Sequence, residues 1–164
     1  AVTGKIVEIV QPAGVPLGYD AKNVEVIHKA LGLVNMIGTG ARLFANAPYT
    51  SAGKTGTAQA VSMGQNVKYN ARLLEEHKRD HSLFSAFAPL EEPRIAVAVI
   101  VENAGFGAAA AGPIVRRIFD YWLMGQYPSE GDLAAVSKGQ ATTITGTPRK
   151  VSDISIESNE PPVP

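Results

Sequence analysis

A chain of 164 residues is the size of one modest domain and long enough to bury a real core. Its apolar fraction of 45% is ordinary for a globular protein, and 15 basic residues balance 15 acidic ones, so no net field attracts nucleic acid or an anionic membrane. The absence of cysteine excludes disulfides, thiol catalysis and thiolate metal sites. The longest apolar stretch, residues 95–101, is far too short to span a bilayer. The chain starts at Ala1 rather than Met and enters directly on a strand-like run, as expected of a piece cut from something longer.

In chain order, residues 3–10 (TGKIVEIV) alternate small or polar with branched side chains and predict a strand. Two prolines and two glycines make residues 11–19 a loop. Asp20 then caps a predicted helix with Ile27, Ala30, Leu31 and Val34 on one face, and Gly38 as its stop. The histidine inside it, His28, reads as a helix-surface residue. Residues 39–46 add a short helical piece. Residues 51–61, small, Thr-rich and punctuated by glycine, suit a strand that another backbone approaches closely.

Residues 66–80 are charged and read as a partly helical surface insertion, with Arg72–Glu76 and Glu75–Arg79 at helical i,i+4 spacing. Two apolar runs joined by a Pro-bounded link, 81–88 and 94–102, predict a hairpin. In the second run Ile95, Val97, Val99 and Val101 share one face. Ala96 and Ala98 lie on the other, where a helix can pack close. The last predicted helix opens at Pro113, stops at Gly125 and carries Ile114, Ile118, Tyr121 and Trp122 as its buried stripe. From Tyr127 the chain turns polar and Pro-containing, giving residues 1–126 as the folded part and 127–164 as a disordered tail. The expected class is α+β, an antiparallel sheet covered by helices on one face.

Lys54-Thr55-Gly56 matches the K-T-G signature of penicillin-binding proteins and serine β-lactamases. An acyl-transfer site for a peptide ending in a carboxylate needs a fixed cation, hydroxyl donors for that carboxylate and a strand edge to pair with the substrate backbone. Lys54 supplies the cation, Thr55 and Thr57 the hydroxyls, and Gly56 omits a side chain that would block close approach. A tripeptide is weak evidence alone, because an exposed strand with an ordinary lysine fits it equally well.

Its surroundings add weight. Residues 52–59 (AGKTGTAQ), then Tyr69-Asn70-Ala71, Arg79-Asp80-His81, Ala86-Phe87-Ala88-Pro89 and the run from Ile95 to Asn103 follow in an order that resembles the class B penicillin-binding proteins, and among them the transpeptidases of rod-shape elongation. The resemblance is specific over residues 49–123, weaker before and absent in the tail.

It implies the transpeptidase fold, with the K-T-G strand at the edge of the site. It implies a serine-type D,D-transpeptidase that cross-links peptidoglycan stem peptides and is acylated by β-lactams, without metal or cofactor. On these positions Lys54 would hydrogen-bond a Ser-x-Asn serine, Thr55 and Thr57 would bind the carboxylate, and the Thr57 N–H would complete the oxyanion hole. It further implies the periplasmic face of the bacterial inner membrane, with an upstream anchor and elongation-complex partners reached through the longer protein. A D,D-carboxypeptidase or β-lactamase-type hydrolase shares the signature and stands as the alternative, as does a non-catalytic fragment or binding module.

The family also needs a Ser-x-x-Lys nucleophile. The only literal match, Ser51 to Lys54, is rejected: that motif works on a helix, where i,i+3 share a face, whereas on a strand odd separations point to opposite faces. No Ser-x-Asn or Tyr-x-Asn occurs. This chain alone is therefore expected to be inactive. His77 and His81, with Glu76 and Asp80 beside them, lack the His-Glu-x-x-His pattern and read as a solvated insertion rather than a zinc site. Residues 107–112 mimic the glycine spacing of a phosphate loop, but Pro113 stands where lysine is required, so close packing before the last helix explains them better.

Overall fold

Branched and aromatic side chains at alternate positions of two consecutive runs generate the hairpin that centres the molecule. In the computed structural model, which describes residues 13–62, 69–70, 73–138, 140, 143–150, 152 and 154, strand β1 (Ala52–Ala58) pairs antiparallel with β2 (His81–Ala88), and β2 with β3 (Ile95–Val101). The order is β1-β2-β3, which leaves β1 at an edge among the described residues. The strand expected at residues 3–10 lies outside them.

Alternation splits this sheet into two unlike faces. Phe84, Ala86 and Ala88 of β2 point to one side and are buried. Helix α3 (Ala111–Met124) covers that side, and Val115 and Phe119, both fully buried, complete the core with Phe44 of the short α2 (Ala41–Phe44). Phe44 sits 6.2 Å from both Phe84 and Phe119, within aromatic contact range. Burying side chains of this size stabilises by about 1.5–3 kcal/mol each.

Helix α1 (Ala21–Met36) serves the other face, where His28 stacks on Phe87 at 5.3 Å. His28 is thus half-buried, not a surface residue, and the helices cover both faces rather than one. Asp20 caps α1 as expected, its Oδ1 accepting from the Lys22 N–H at 2.8 Å.

The sequence-derived faces of both long helices need correction. On α1, Ile27 is 60% exposed, while Gly32 and Asn35 are the buried residues. On α3, which begins at Ala111 rather than Pro113, the buried stripe is Ala111, Gly112, Val115 and Phe119, with Trp122 63% exposed. The helix packs on the Ile95–Val97–Val99–Val101 face of β3, not on the alanine face. Small residues at its start let it approach: a Cβ on Gly112 would lie 2.3 Å from Leu43 Cδ1 and 3.3 Å from Phe84 Cδ2. The α3 stop is as expected, with Gly125 in the left-handed region at φ 59°.

The stretch from Gln126 to Lys150, nearly all of it in the expected disordered tail, contains structure. It holds β4 (Gln126–Tyr127), α4 (Glu130–Ser137) and β5 (Arg149–Lys150), with β4 paired to β5. A buried ion pair anchors it: Arg117 donates through Nε and Nη2 to both carboxylate oxygens of the fully buried Asp132, at 2.8 and 2.7 Å. Burial pushes the Asp132 carboxyl up, but Arg117 and the Thr145 N–H more than offset it, leaving its pKa below the usual value. Residues 155–164 lie outside the described residues.

In the insertion, a 3₁₀ turn spans Glu76–Lys78. The Glu75–Arg79 pair does not form. Glu75 faces Lys78 at 2.9 Å and His77 at 3.4 Å, while Arg79 donates to the Leu74 carbonyl, because a 3₁₀ turn brings i+3 rather than i+4 alongside. Arg72 is outside the described residues.

Candidate active site

The Lys54-Thr55-Gly56-Thr57 segment lies inside β1, opposite Ser85, Phe84, Leu83 and Ser82 of β2 in that order. Strand parity places Lys54 and Gly56 on the α1 side of the sheet, and Thr55 and Thr57 together on the other. Two hydroxyls on one side of an edge strand form the arrangement that a single carboxylate requires. Lys54 is exposed, and its Nζ donates to the Thr55 carbonyl at 2.7 Å.

Ser51 does not serve as a nucleophile for Lys54 here. It immediately precedes β1, is 6% exposed, and its Oγ accepts from Asn35 Nδ2 at 2.9 Å. That buried bond ties the last turn of α1 to the start of the strand. Asn35 is itself 4% exposed, and its Oδ1 has no partner among the described residues.

A second tie follows four residues along: Thr39 Oγ1 lies 3.2 Å from Thr55 Oγ1. Neither Asn35 nor Thr39 was singled out from sequence. The one local signal was Gly38-Thr39-Gly40, a hydroxyl held between two glycines directly after a helix.

The glycines of β1 are also required by packing. A Cβ on Gly53 would sit 2.7 Å from Phe84 Cε1, and one on Gly56 would touch Leu83 Cβ at 3.2 Å. Behind the strand, the loop before α3 presses against it backbone to backbone. A Cβ on Gly107 would lie 2.3 Å from the Leu83 carbonyl oxygen and 2.6 Å from that of Gly56. This is the close packing expected for residues 107–112, and its partner is the K-T-G strand. Ser82, fully buried, clamps that loop by donating to the Phe106 carbonyl and accepting from the Ala111 N–H, each at 3.0 Å.

At the far end of the strand, Asp80 is buried. Its Oδ1 accepts from the Ala60 N–H at 3.3 Å, and its own N–H donates to the Tyr69 hydroxyl at 3.0 Å. His81 Nδ1 accepts from the Asn103 N–H at 3.0 Å, whereas His77 is exposed beside Glu75. The two histidines are thus engaged separately, and among the described residues no group of three or more His, Asp or Glu side chains is arranged to hold a metal.

At the near end, Tyr49 donates to Asp120 Oδ1 at 2.7 Å, and Arg116 Nε holds both oxygens of that carboxylate at 2.8 and 2.9 Å. Burial, then the Asp120 carboxylate, push the Tyr49 phenol pKa well above its ordinary value, so it remains a donor.

Of two depressions, only one is lined by β1. The larger, about 680 Å³, runs between α2, Ala108 and the segment around Ile144, and is lined by neither Lys54 nor Thr55. The smaller, about 400 Å³, is lined by Leu31, Lys54, Ser85, Phe87 and Ala98. Size therefore does not mark the site. Of the K-T-G residues, only Lys54 lines the smaller depression.

The antiparallel sheet, its edge strand and the helices on its two faces fit the transpeptidase fold expected above. A family model, the penicillin binding protein transpeptidase domain, matches residues 10–120, more than half of the chain, and the chain belongs to that family. Among curated relatives, the peptidoglycan D,D-transpeptidase MrdA of Haemophilus influenzae is 44% identical over 101 residues, covering 59% of this chain and 16% of its own length. MrdA of Escherichia coli K12 is 39% identical over 145 residues, covering 84% and 23%.

Two solved structures share the fold at a TM-score of 0.50: Pseudomonas aeruginosa PBP2 in complex with WCK 5153, at 36% identity over 64% of this chain and 20% of its own, and Helicobacter pylori PBP2 in complex with MreC, at 25% identity over 63% and 18%. The resemblance to the elongation transpeptidases is thereby established, as is the fold class. The chain spans 16% and 23% of the length of the two curated relatives.

Proposed function

We propose that this chain forms the K-T-G wall of a serine-type peptidoglycan D,D-transpeptidase, with the attacking serine supplied by another segment of a longer protein. The carrying observation is the placement of Thr55 and Thr57 on one side of a strand that is at the sheet edge among the described residues, with Lys54 on the other side, in a chain whose family match spans that strand. In this reading the serine attacks the penultimate D-Ala carbonyl of a stem peptide, the terminal D-Ala leaves, and an amine of a neighbouring peptide takes the acyl group. Lys54 supplies positive charge and a hydrogen bond to the Ser-x-Asn serine. Thr55 and Thr57 bind the substrate carboxylate, and the Thr57 N–H is one oxyanion donor, a contribution of about 3–4 kcal/mol.

β-Lactams acylate the same serine. The longer protein works at the periplasmic face of the bacterial inner membrane, held there by an anchor outside these residues, and meets elongation-complex proteins of the MreC kind. No cofactor enters the reaction.

Labelling with a fluorescent penicillin tests this directly. The longer protein takes a covalent label at a serine outside residues 1–164, and the isolated 164-residue chain takes none. A label mapped to a serine of this chain overturns the reading. Product analysis with an acceptor amine separates it from hydrolysis: a transpeptidase gives the cross-linked product, a carboxypeptidase or β-lactamase the free acid.

A further inference from the structure

The turn between α1 and α2 is built to hold one hydroxyl against the K-T-G strand. Its backbone is closed by three bonds: Gly38 N–H to the Leu33 carbonyl at 3.0 Å, Gly40 N–H to the Val34 carbonyl at 2.9 Å, and Ala41 N–H to the Gly38 carbonyl at 3.1 Å. Gly40 lies so close to Asn35 that a Cβ there would be 2.4 Å from Asn35 Oδ1. Asn35 in turn is bonded to Ser51, three residues ahead of Lys54. Turn and strand are therefore registered through a buried contact, and the Thr39 hydroxyl, 3.2 Å from that of Thr55, is placed by it.

A hydroxyl has one proton to give and two lone pairs with which to accept. If Thr55 donated to Thr39, it would have no proton left for a substrate carboxylate. If Thr39 donates to Thr55, the Thr55 proton is free and its donor strength rises by polarisation. Only the second arrangement serves an anionic ligand at Thr55.

We propose that Thr39 is a specificity-determining positioning residue: it donates to Thr55 and so turns the Thr55 proton toward the carboxylate of the acyl donor. The inference rests on the transpeptidase reading above and extends it to a residue outside the K-T-G strand. Its class of ligand is an acyl donor with a free carboxylate, stem peptide and β-lactam alike.

The test is the acylation rate constant of the longer protein with a penicillin bearing a free carboxylate and with the methyl ester of that penicillin. In the wild type the acid reacts faster than the ester. Thr39→Val keeps the shape and removes the hydroxyl. It lowers the rate with the acid by about 2- to 10-fold, the worth of one hydrogen bond, and leaves the ester within about twofold. Thr39→Ser restores the acid rate. In a Thr55→Val background, Thr39→Val has no further effect.

Equal losses on acid and ester, or an undiminished Thr39→Val loss in the Thr55→Val background, overturn the inference, as does a wild type that shows no preference for the acid. A wild type acylated by neither compound overturns the transpeptidase reading itself, before any variant is compared. A purely structural role for Thr39 would lower the melting temperature and both rates together, so the acid-to-ester ratio separates the two.

Discussion

The two faces of the three-stranded sheet are built from the same strands yet are finished to different degrees. On the α3 side, Phe84, Val115 and Phe119 are fully buried and Ala88 and Ala111 beside them are closed off. On the α1 side, Phe87 meets His28, but Ala96, Ala98 and Ile100 are exposed, and α1 itself leaves Val24, Val26, Ile27 and Met36 at 51%, 64%, 60% and 66% exposure. One face is thus a core and the other is a surface rich in apolar side chains. Lys54 stands on the unfinished side, while the residues that brace its strand, Gly107 and Ser82, belong to the finished one. The strand is thus braced from the finished side, to which Thr55 and Thr57 also point, and is open on the side of Lys54.

Substitutions at the finished face carry the largest costs. Phe119→Ala removes the residue that Phe44 and Tyr49 both contact and costs about 3–5 kcal/mol, read as a shift in the urea midpoint. Asp132→Ala leaves Arg117 without its buried partner and costs about 3 kcal/mol. The Asp132 contribution also depends on pH. Its folded pKa lies below its unfolded value of about 3.9, so the stabilisation is full above that value and disappears as pH falls through the folded pKa. The stability gap between wild type and Asp132→Asn therefore narrows from pH 7 to pH 3, and a constant gap contradicts the assignment.

Gly107→Ala forces a methyl group against two carbonyl oxygens and costs about 1–3 kcal/mol, with amide exchange accelerating in β1. The smallest effect is on the open face. Ile27→Ser changes the stability of the 164-residue chain by under about 0.5 kcal/mol. A larger cost for the same substitution in a longer protein would mean that the α1 surface is covered there.

Much of this was legible in the sequence, and what was missed has a common cause. Alternation located β2 and β3 to within a residue, Asp20 and Gly125 marked helix ends, and the K-T-G segment fell on a strand as its small residues required. The helix faces were misread because α1 and α3 are apolar on more than one side. A rule that favours the largest side chains chooses Ile114 and Trp122, whereas the sheet admits Ala111, Gly112 and Val115, which allow close approach.

Likewise, Ser129 and Asp132 looked like polar tail residues. Their meaning depends on Arg117, a helix away, and on Thr145, whose carbonyl accepts from Ser129 Oγ at 2.7 Å. In the site, Thr39 and Asn35 gain significance only from partners 16 residues downstream. Periodicity reports which side of an element is apolar, but not which distant group will meet it.

The contact of Gly107 with Gly56 has a consequence for how such a site changes over time. Side chains behind a strand can be exchanged for larger or smaller ones, shifting the strand by fractions of an ångström and retuning what it binds. Between Gly107 and Gly56 the contact is main chain against main chain, and that contact offers no such adjustable part. Heritable variation in how β1 presents itself can therefore enter at its two ends, through residues such as Ser51 and Asp80, at its own outward side chains, or through Phe84 and Leu83 beside Gly53 and Gly56. At Gly56 itself, the approach of Gly107 is set by the path of the backbone alone.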